Sequence, residues 1–145
     1  MKISTRSLYG LRLLYNLALN YNQGPQQLSE IAAREAISEK YLSQIVIILR
    51  TSGLITSVRG ALGGYLLARR PQEITVLQVI QCLEVELLVT QDIDVNANSA
   101  SDSLFATNEI WDRLHLAVSD TLGAISLQNM IDIPQKARRV LDYNI

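Results

Sequence analysis

Arg59-Gly60-Ala61-Leu62-Gly63-Gly64-Tyr65 sets one guanidinium beside a run of glycines, between two short β-leaning stretches. Such a turn could cradle a phosphate, but it lacks the Gly-Lys-Ser/Thr ending of a nucleotide loop and follows a helix and a short strand. An arginine on a narrow hairpin tip can instead enter a narrow DNA minor groove, where the negative potential is deepest. The bland alternative is a solvated loop arginine. A second group is Ser38-Glu39-Lys40-Tyr41 with Ser43 and Gln44. Ser38 suits an N-cap. With Leu42 at the centre of a core face, Lys40, Ser43, Gln44 and Ile47 fall on the opposite side of the helix. Lys40 and Gln44 can hydrogen-bond base edges and Ser43 can donate or accept. Ile47 either meets a thymine methyl or means that the helix is buried on more sides. A third group, Ser4-Thr5-Arg6, opens the first helix, where hydroxyls and free N–H groups suit a phosphate.

Other reactive residues carry less. Cys82 is the one cysteine and His115 the one histidine of the 145 residues. A single cysteine makes no internal disulfide, and no paired Cys or His spacing for zinc exists. Cys82 stands among Val79, Ile80, Leu83 and Val85 and reads as a core thiol. A redox sensor needs exposure and a cationic neighbour, and its near charges are Glu84 and Glu86. His115 lies near the apolar seam of a long helix with no identifiable nucleophile–base pairing around it, so it reads as packed or solvent-facing rather than catalytic. Asp92, Asp94 and Asp102 lack the glycine turn and bidentate Glu of a calcium loop.

The elements that must hold these groups follow from periodicity. Leu8, Leu11, Leu14, Tyr15 and Ala18 form an apolar stripe of a helix from about Thr5 to Tyr21. A short helix, Leu28 to Arg34, precedes a capped helix from Glu39 to Ser52, with Gly53 as its stop. Two strands, Leu54 to Val58 and Tyr65 to Leu67, flank the glycine turn. Thr75 caps a helix from Val76 to Val85. A polar loop spans Thr90 to Ser103. A long helix from Leu104 to Ala124 carries Trp111, Leu114, Val118 and Leu122 at coiled-coil-like spacing, and its length favours a two-fold interface over internal core. A last short helix, Leu127 to Ile131, is followed by Pro134 and a polar, flexible tail.

The expected fold is mostly α with a small β-wing: a winged helix-turn-helix plus a long C-terminal dimerisation helix. Residues 1–75 form the DNA-binding unit, 76–132 the linker helix, loop and dimerisation helices, and 133–145 the tail. Charge agrees with this division. Residues 1–70 hold nine Lys and Arg against three acids, and residues 71–145 hold four against eleven. Only the first part suits a polyanion. No stretch is long and apolar enough for a membrane span or patterned as a signal peptide, so a cytoplasmic protein without membrane partners is expected.

Together, Met1-Lys2-Ile3-Ser4-Thr5, Tyr9-Gly10-Leu11, Ser38-Glu39-Lys40-Tyr41-Leu42, Gly53-Leu54-Ile55 and Arg59 to Tyr65 resemble the Rrf-two family of winged-helix regulators over nearly the whole chain. The resemblance implies a homodimeric transcriptional repressor, not an enzyme, that binds a partly palindromic double-stranded DNA operator. It implies DNA contacts from Ser4, Thr5, Arg6, Ser38, Glu39, Lys40, Tyr41, Ser43, Gln44, Arg59, Gly60, Gly63, Gly64 and Tyr65, and a dimer interface through Trp111, Leu114, Val118 and Leu122. Iron–sulfur members, the IscR type, carry three cysteines in the segment that here runs from Glu84 to Asn108 without one. The chain therefore resembles the cluster-free, CymR-like repressors of cysteine metabolism, with no cofactor. Ser43 stands where IscR-like members often have Glu, so target preference does not carry over. CymR-like members imply cysteine synthase as a partner. Tyr143, Asn144 and Ile145 are the expected contact, with the Ile145 carboxylate in place of the substrate carboxylate; the other reading is an ordinary chain end. Two further functions stay open: a redox-, metal- or iron–sulfur-responsive regulator of the same family, and a protein-interaction module with weak DNA binding.

Overall fold

The computed structural model describes residues 2–84 and 101–143. Helices α1 (Thr5–Leu19), α2 (Leu28–Glu35) and α3 (Glu39–Thr51) lead into an antiparallel hairpin of β1 (Ile55–Val58) and β2 (Gly64–Leu67). A 3-10 turn (Pro71–Glu73) precedes α4 (Val76–Leu83), then α5 (Asp102–Gly123) and α6 (Leu127–Tyr143). Most ends are set by local chemistry. Ser4, Ser38, Thr75 and Ser101 each accept a backbone N–H of the first turn of the helix they open. Each such cap contributes about 1 kcal/mol.

The core lies between α1, α3 and α4. Leu13, Leu14, Leu42, Ile45, Leu49 and Leu83 are fully buried. On α1 the expected stripe is only part of the buried face: Leu14 and Ala18 are buried and Leu11 and Tyr15 pack against the core. Leu8 is half-exposed, and Ser7, Gly10, Leu13 and Leu17 also point inward. Gly10 explains the difference: a Cβ there would run into the Leu83 side chain, so α4 approaches α1 at a position without one. A glycine contact adds nothing to an apolar count, and the periodicity misses it.

The hairpin registers Ile55 against Leu67 and Val58 against Gly64. Gln26, in the connection from α1 to α2, adds a bridge: its N–H donates to the Tyr65 carbonyl at 3.0 Å, and the Tyr65 N–H donates back at 2.9 Å. The wing is thereby fastened to the helical body. The last two helices are tied on in the same way. The Val76 N–H donates to the Ile125 carbonyl at 2.8 Å, and the Leu127 N–H to the Ile74 carbonyl at 2.9 Å.

Two expectations need correction. The long helix starts at Asp102, where Ser101 caps it, two residues before Leu104. The segment after Ile131 is not a loose tail: α6 continues to Tyr143 with Pro134 inside it. Proline removes one ladder hydrogen bond and crowds the preceding turn, which normally kinks or ends a helix. Here Leu127 and Ile131 anchor the first turns in the core against α1, and Gln135, Lys136, Ala137, Arg138, Arg139 and Leu141 are all good helix formers. Tyr143 ends α6 almost fully exposed. Asn144 and Ile145 lie outside the described residues, as does most of the polar loop expected from Thr90 to Ser103.

Candidate nucleic-acid interface

Helix α3 presents two chemically distinct faces. Leu42, Ile45, Val46 and Leu49 are buried, while Glu39, Lys40, Ser43, Gln44 and Ile47 are exposed. Ile47 is 57% exposed, so the helix is not buried on further sides and an apolar group stands among the polar ones. The Ser43 hydroxyl donates to the Glu39 carbonyl at 2.8 Å, which leaves its oxygen lone pairs free to accept. Ser38 is exposed and starts the helix: its oxygen accepts the Tyr41 N–H at 3.3 Å, and its O–H remains free to donate. Tyr41 is half-buried, with its ring edge-to-face on Tyr9 at 5.6 Å between centroids.

The wing carries Arg59 exposed before Gly60, whose φ of 112° favours glycine. The Gly63 N–H donates to the Gly60 carbonyl at 3.0 Å and closes the tip. Gly63 is buried and Gly64 half-buried. A Cβ on Gly63 would meet the Val58 carbonyl, and one on Gly64 the Gln26 carbonyl. Both glycines, with the Tyr65 backbone, let the hairpin close and lie against the body. Leu62, which the sequence reading passed over, is 90% exposed at the same tip. An apolar residue inside a glycine turn, where no core position exists, was the available signal.

At the start of α1 the phosphate site expected on Ser4, Thr5 and Arg6 already has an internal anion. The Ser4 N–H donates to Glu84 Oε1 at 2.7 Å, and Arg6 Nε donates to the Leu83 carbonyl at 2.9 Å. Burial pushes the Glu84 carboxyl up. Hydrogen bonds from Ser4 and Ser7 and the charge of Arg6 outweigh it and hold the group below the usual carboxylate range. Thr5 alone of the three stays exposed. Ser4 and Arg6 therefore join α1 to the end of α4. The sequence missed this because Ser4 and Glu84 are 80 residues apart.

A second polar cluster stands beneath α3. Arg12 Nε donates to Glu35 Oε2 at 2.9 Å, and a terminal nitrogen of Arg12 donates to the Glu35 carbonyl at 2.7 Å. Asn16 Nδ2 donates to Glu35 Oε1 at 2.7 Å, and Arg34 donates to Asn16 Oδ1 at 2.7 Å. Burial pushes the Glu35 carboxyl up, and the bonds from Asn16 and Arg12 with the charges of Arg12 and Arg34 bring it below its ordinary range. Asn16 is 2% exposed and fully partnered.

The expected interface helix α5 has 22 residues, and not one is buried within the chain. Trp111 and Leu114 are 53% and 48% exposed, and Ile110 beside them 61%. Val118 and Leu122 are half-buried within the chain. Cys82 is half-buried and packs against the core. His115 is half-buried on α5. Among the described residues no three His, Cys, Asp or Glu side chains converge as a metal site, and no helix is long and apolar enough to cross a membrane.

A family model described as "Rrf2: Iron-dependent Transcriptional regulator" matches residues 3–133. The transcriptional regulator CymR of Bacillus subtilis is 37% identical over 90% of this chain and 89% of its own length. IscR of Xenorhabdus nematophila is 32% identical over 98% of this chain and 84% of its own. Among solved structures, B. subtilis CymR, titled the global cysteine regulator, superposes with a TM-score of 0.79 at 35% identity, covering 92% of this chain and 98% of that one. T. potens IscR gives 0.78 at 34%, covering 94% and 90%. The one cysteine, Cys82, packs on the core with no second thiol anywhere in the chain, so the chain holds no set of thiolates for an iron–sulfur cluster. The wing, the capped α3 and the long α5 are those of a DNA-binding regulator, not of an enzyme, and the chain belongs to the Rrf2 family of winged-helix transcriptional regulators.

Proposed function

We propose that this protein is a homodimeric, cytoplasmic repressor that recognises a partly palindromic operator and controls genes of cysteine and sulfur metabolism. The observation that carries the reading is the pairing of an exposed Lys40, Ser43, Gln44 and Ile47 face on a rigidly capped helix with an exposed Arg59 on a fastened wing. In this arrangement α3 lies in the major groove and reads base edges, and the wing reaches the minor groove. The basic amino-terminal half supplies the phosphate attraction. The unburied α5 gives the second copy its contact, which places two α3 helices one helical turn apart on DNA.

Binding measured against salt tests this. Log K should fall by about 0.9 for each phosphate neutralised. Arg59→Ala should weaken binding to a specific duplex by about 1–3 kcal/mol, roughly five- to 150-fold. Unchanged affinity for that variant would remove the wing from the interface.

The sulfur assignment draws on the relative titled a cysteine regulator and on the absence of a cluster-binding cysteine set, which disfavours the iron–sulfur-responsive alternative. The resemblance makes cysteine synthase the expected protein partner, with Tyr143 at the exposed end of α6 as the described part of the contact. Purified cysteine synthase should co-elute with the protein on size exclusion, and O-acetylserine should separate them. Independent elution at micromolar concentrations without O-acetylserine would discard this partner.

A further inference from the structure

The turn between α2 and α3 aims the recognition helix, and it is built on an unusual residue. Ala36 ends α2 in the left-handed region, with φ 54° and ψ 43°. L-residues other than glycine, asparagine and aspartate rarely hold this conformation, because Cβ crowds the following carbonyl. Alanine has no polar side chain with which to offset that cost. Local backbone bonds close the turn, the Ala36 N–H donating to the Ala33 carbonyl at 3.4 Å and the Ile37 N–H to the Ala32 carbonyl at 3.0 Å, and a further restraint comes from α1. Arg12 grips Glu35, the residue before Ala36, at both its carboxylate and its carbonyl. Asn16 holds the second carboxylate oxygen. The Arg12 guanidinium lies 5.7 Å from the Tyr9 ring centroid, and Tyr9 in turn meets the Tyr41 ring in the first turn of α3. One face of α1 thus holds the end of α2 and the start of α3, on either side of the turn.

We propose that Arg12 and Glu35 are positioning residues for sequence reading. Their forked contact fixes the Ala36 turn, and with it the angle at which α3 presents Lys40, Ser43, Gln44 and Ile47. The inference rests on the DNA-reading role of α3. Phosphate contacts bind all sequences alike, whereas base contacts need α3 within a fraction of an ångström. A loosened turn should therefore reduce discrimination between sequences and spare general affinity.

The test uses a duplex enriched from random-sequence DNA by the wild-type protein, and a shuffled duplex of the same composition. Glu35→Gln keeps the shape but removes the charge. Arg12→Lys keeps the charge but loses the fork. Each variant should lower the ratio of the two affinities at least tenfold. Affinity for the shuffled duplex should stay within about twofold, and the salt slope should be unchanged. Full discrimination in both variants would overturn the proposal, whether or not their melting temperatures fall; a lowered melting point alone would mark a merely structural contact. If Arg12 were only a phosphate contact, Arg12→Lys would bind like wild type and Glu35→Gln would bind both duplexes equally well or better. Failure of the wild type to enrich any duplex would remove the DNA-reading role itself, and is distinguishable from failure of the clamp.

Discussion

A chain carrying Ile110→Asp and Leu114→Asp should sediment as a monomer and lose operator binding by two orders of magnitude or more. Ile110, Trp111 and Leu114 lie on one side of α5, and all three are about half-exposed or more within a single chain. Ala117 and Val118 continue that side one turn on. A helix of 22 residues with no buried position gains little from packing within its own chain, whereas most helical stability in proteins comes from tertiary packing of an apolar face. A second copy laid along it would supply the missing burial. An unpaired carboxylate placed in such an interface costs several kcal/mol, and the two-fold places four of them there. Because both positions are exposed in the single chain, the substitutions spare the winged-helix core. The melting of that core therefore separates lost assembly from lost folding. Val118 is a poorer test position, since it is half-buried within its own chain. A variant that still sediments as a dimer would place the two-fold contact on another surface, and operator binding by a monomer would remove the need for two half-sites.

The order of elements was readable because each rests on local signals. Ser38 and Thr75 cap the helices expected after them, Gly53 with φ 76° follows the last turn of α3, and the glycine run makes a hairpin. The exposed face of α3 followed from the position of Leu42 alone. What escaped the sequence depends on distance along the chain. Glu84 takes the N–H of Ser4, and Glu35 is held by Arg12 and Asn16. In each case the carboxylate's partner lies many residues away along the chain. Pro134 failed as a stop signal for a related reason. Docking of Leu127 and Ile131 stabilises α6 before the proline is reached, and tertiary burial overrides a local preference. The glycines of the wing show the same limit. Their number predicted a turn, but not that two of them exist to let backbones touch.

That distinction gives the second large expected effect. Gly64→Ala should destabilise the fold by about 3 kcal/mol and abolish wing-dependent DNA affinity, whereas Gly60→Ala should cost only about 1 kcal/mol. Both residues have positive φ, 154° and 112°, so both substitutions strain the backbone. Nothing lies within 4 Å of a Cβ on Gly60. A Cβ on Gly64 instead runs into the carbonyl of Gln26 and approaches the Gln27 nitrogen at 3.1 Å. These are backbone atoms, which cannot turn aside as a side chain can. The strand must move away, and the reciprocal Gln26–Tyr65 bonds break with it. Each is worth about 1 kcal/mol net, and more if its groups stay buried without water. Detached from the body, the hairpin no longer holds Arg59 in place, so the affinity loss should exceed that of Arg59→Ala measured on the folded fraction. Thermal melting should resolve the two variants, since the difference of about 2 kcal/mol corresponds to roughly 4–16 °C for domains of about this size. Equal melting temperatures for the two variants would show that the Gln26 bridge does not hold the wing.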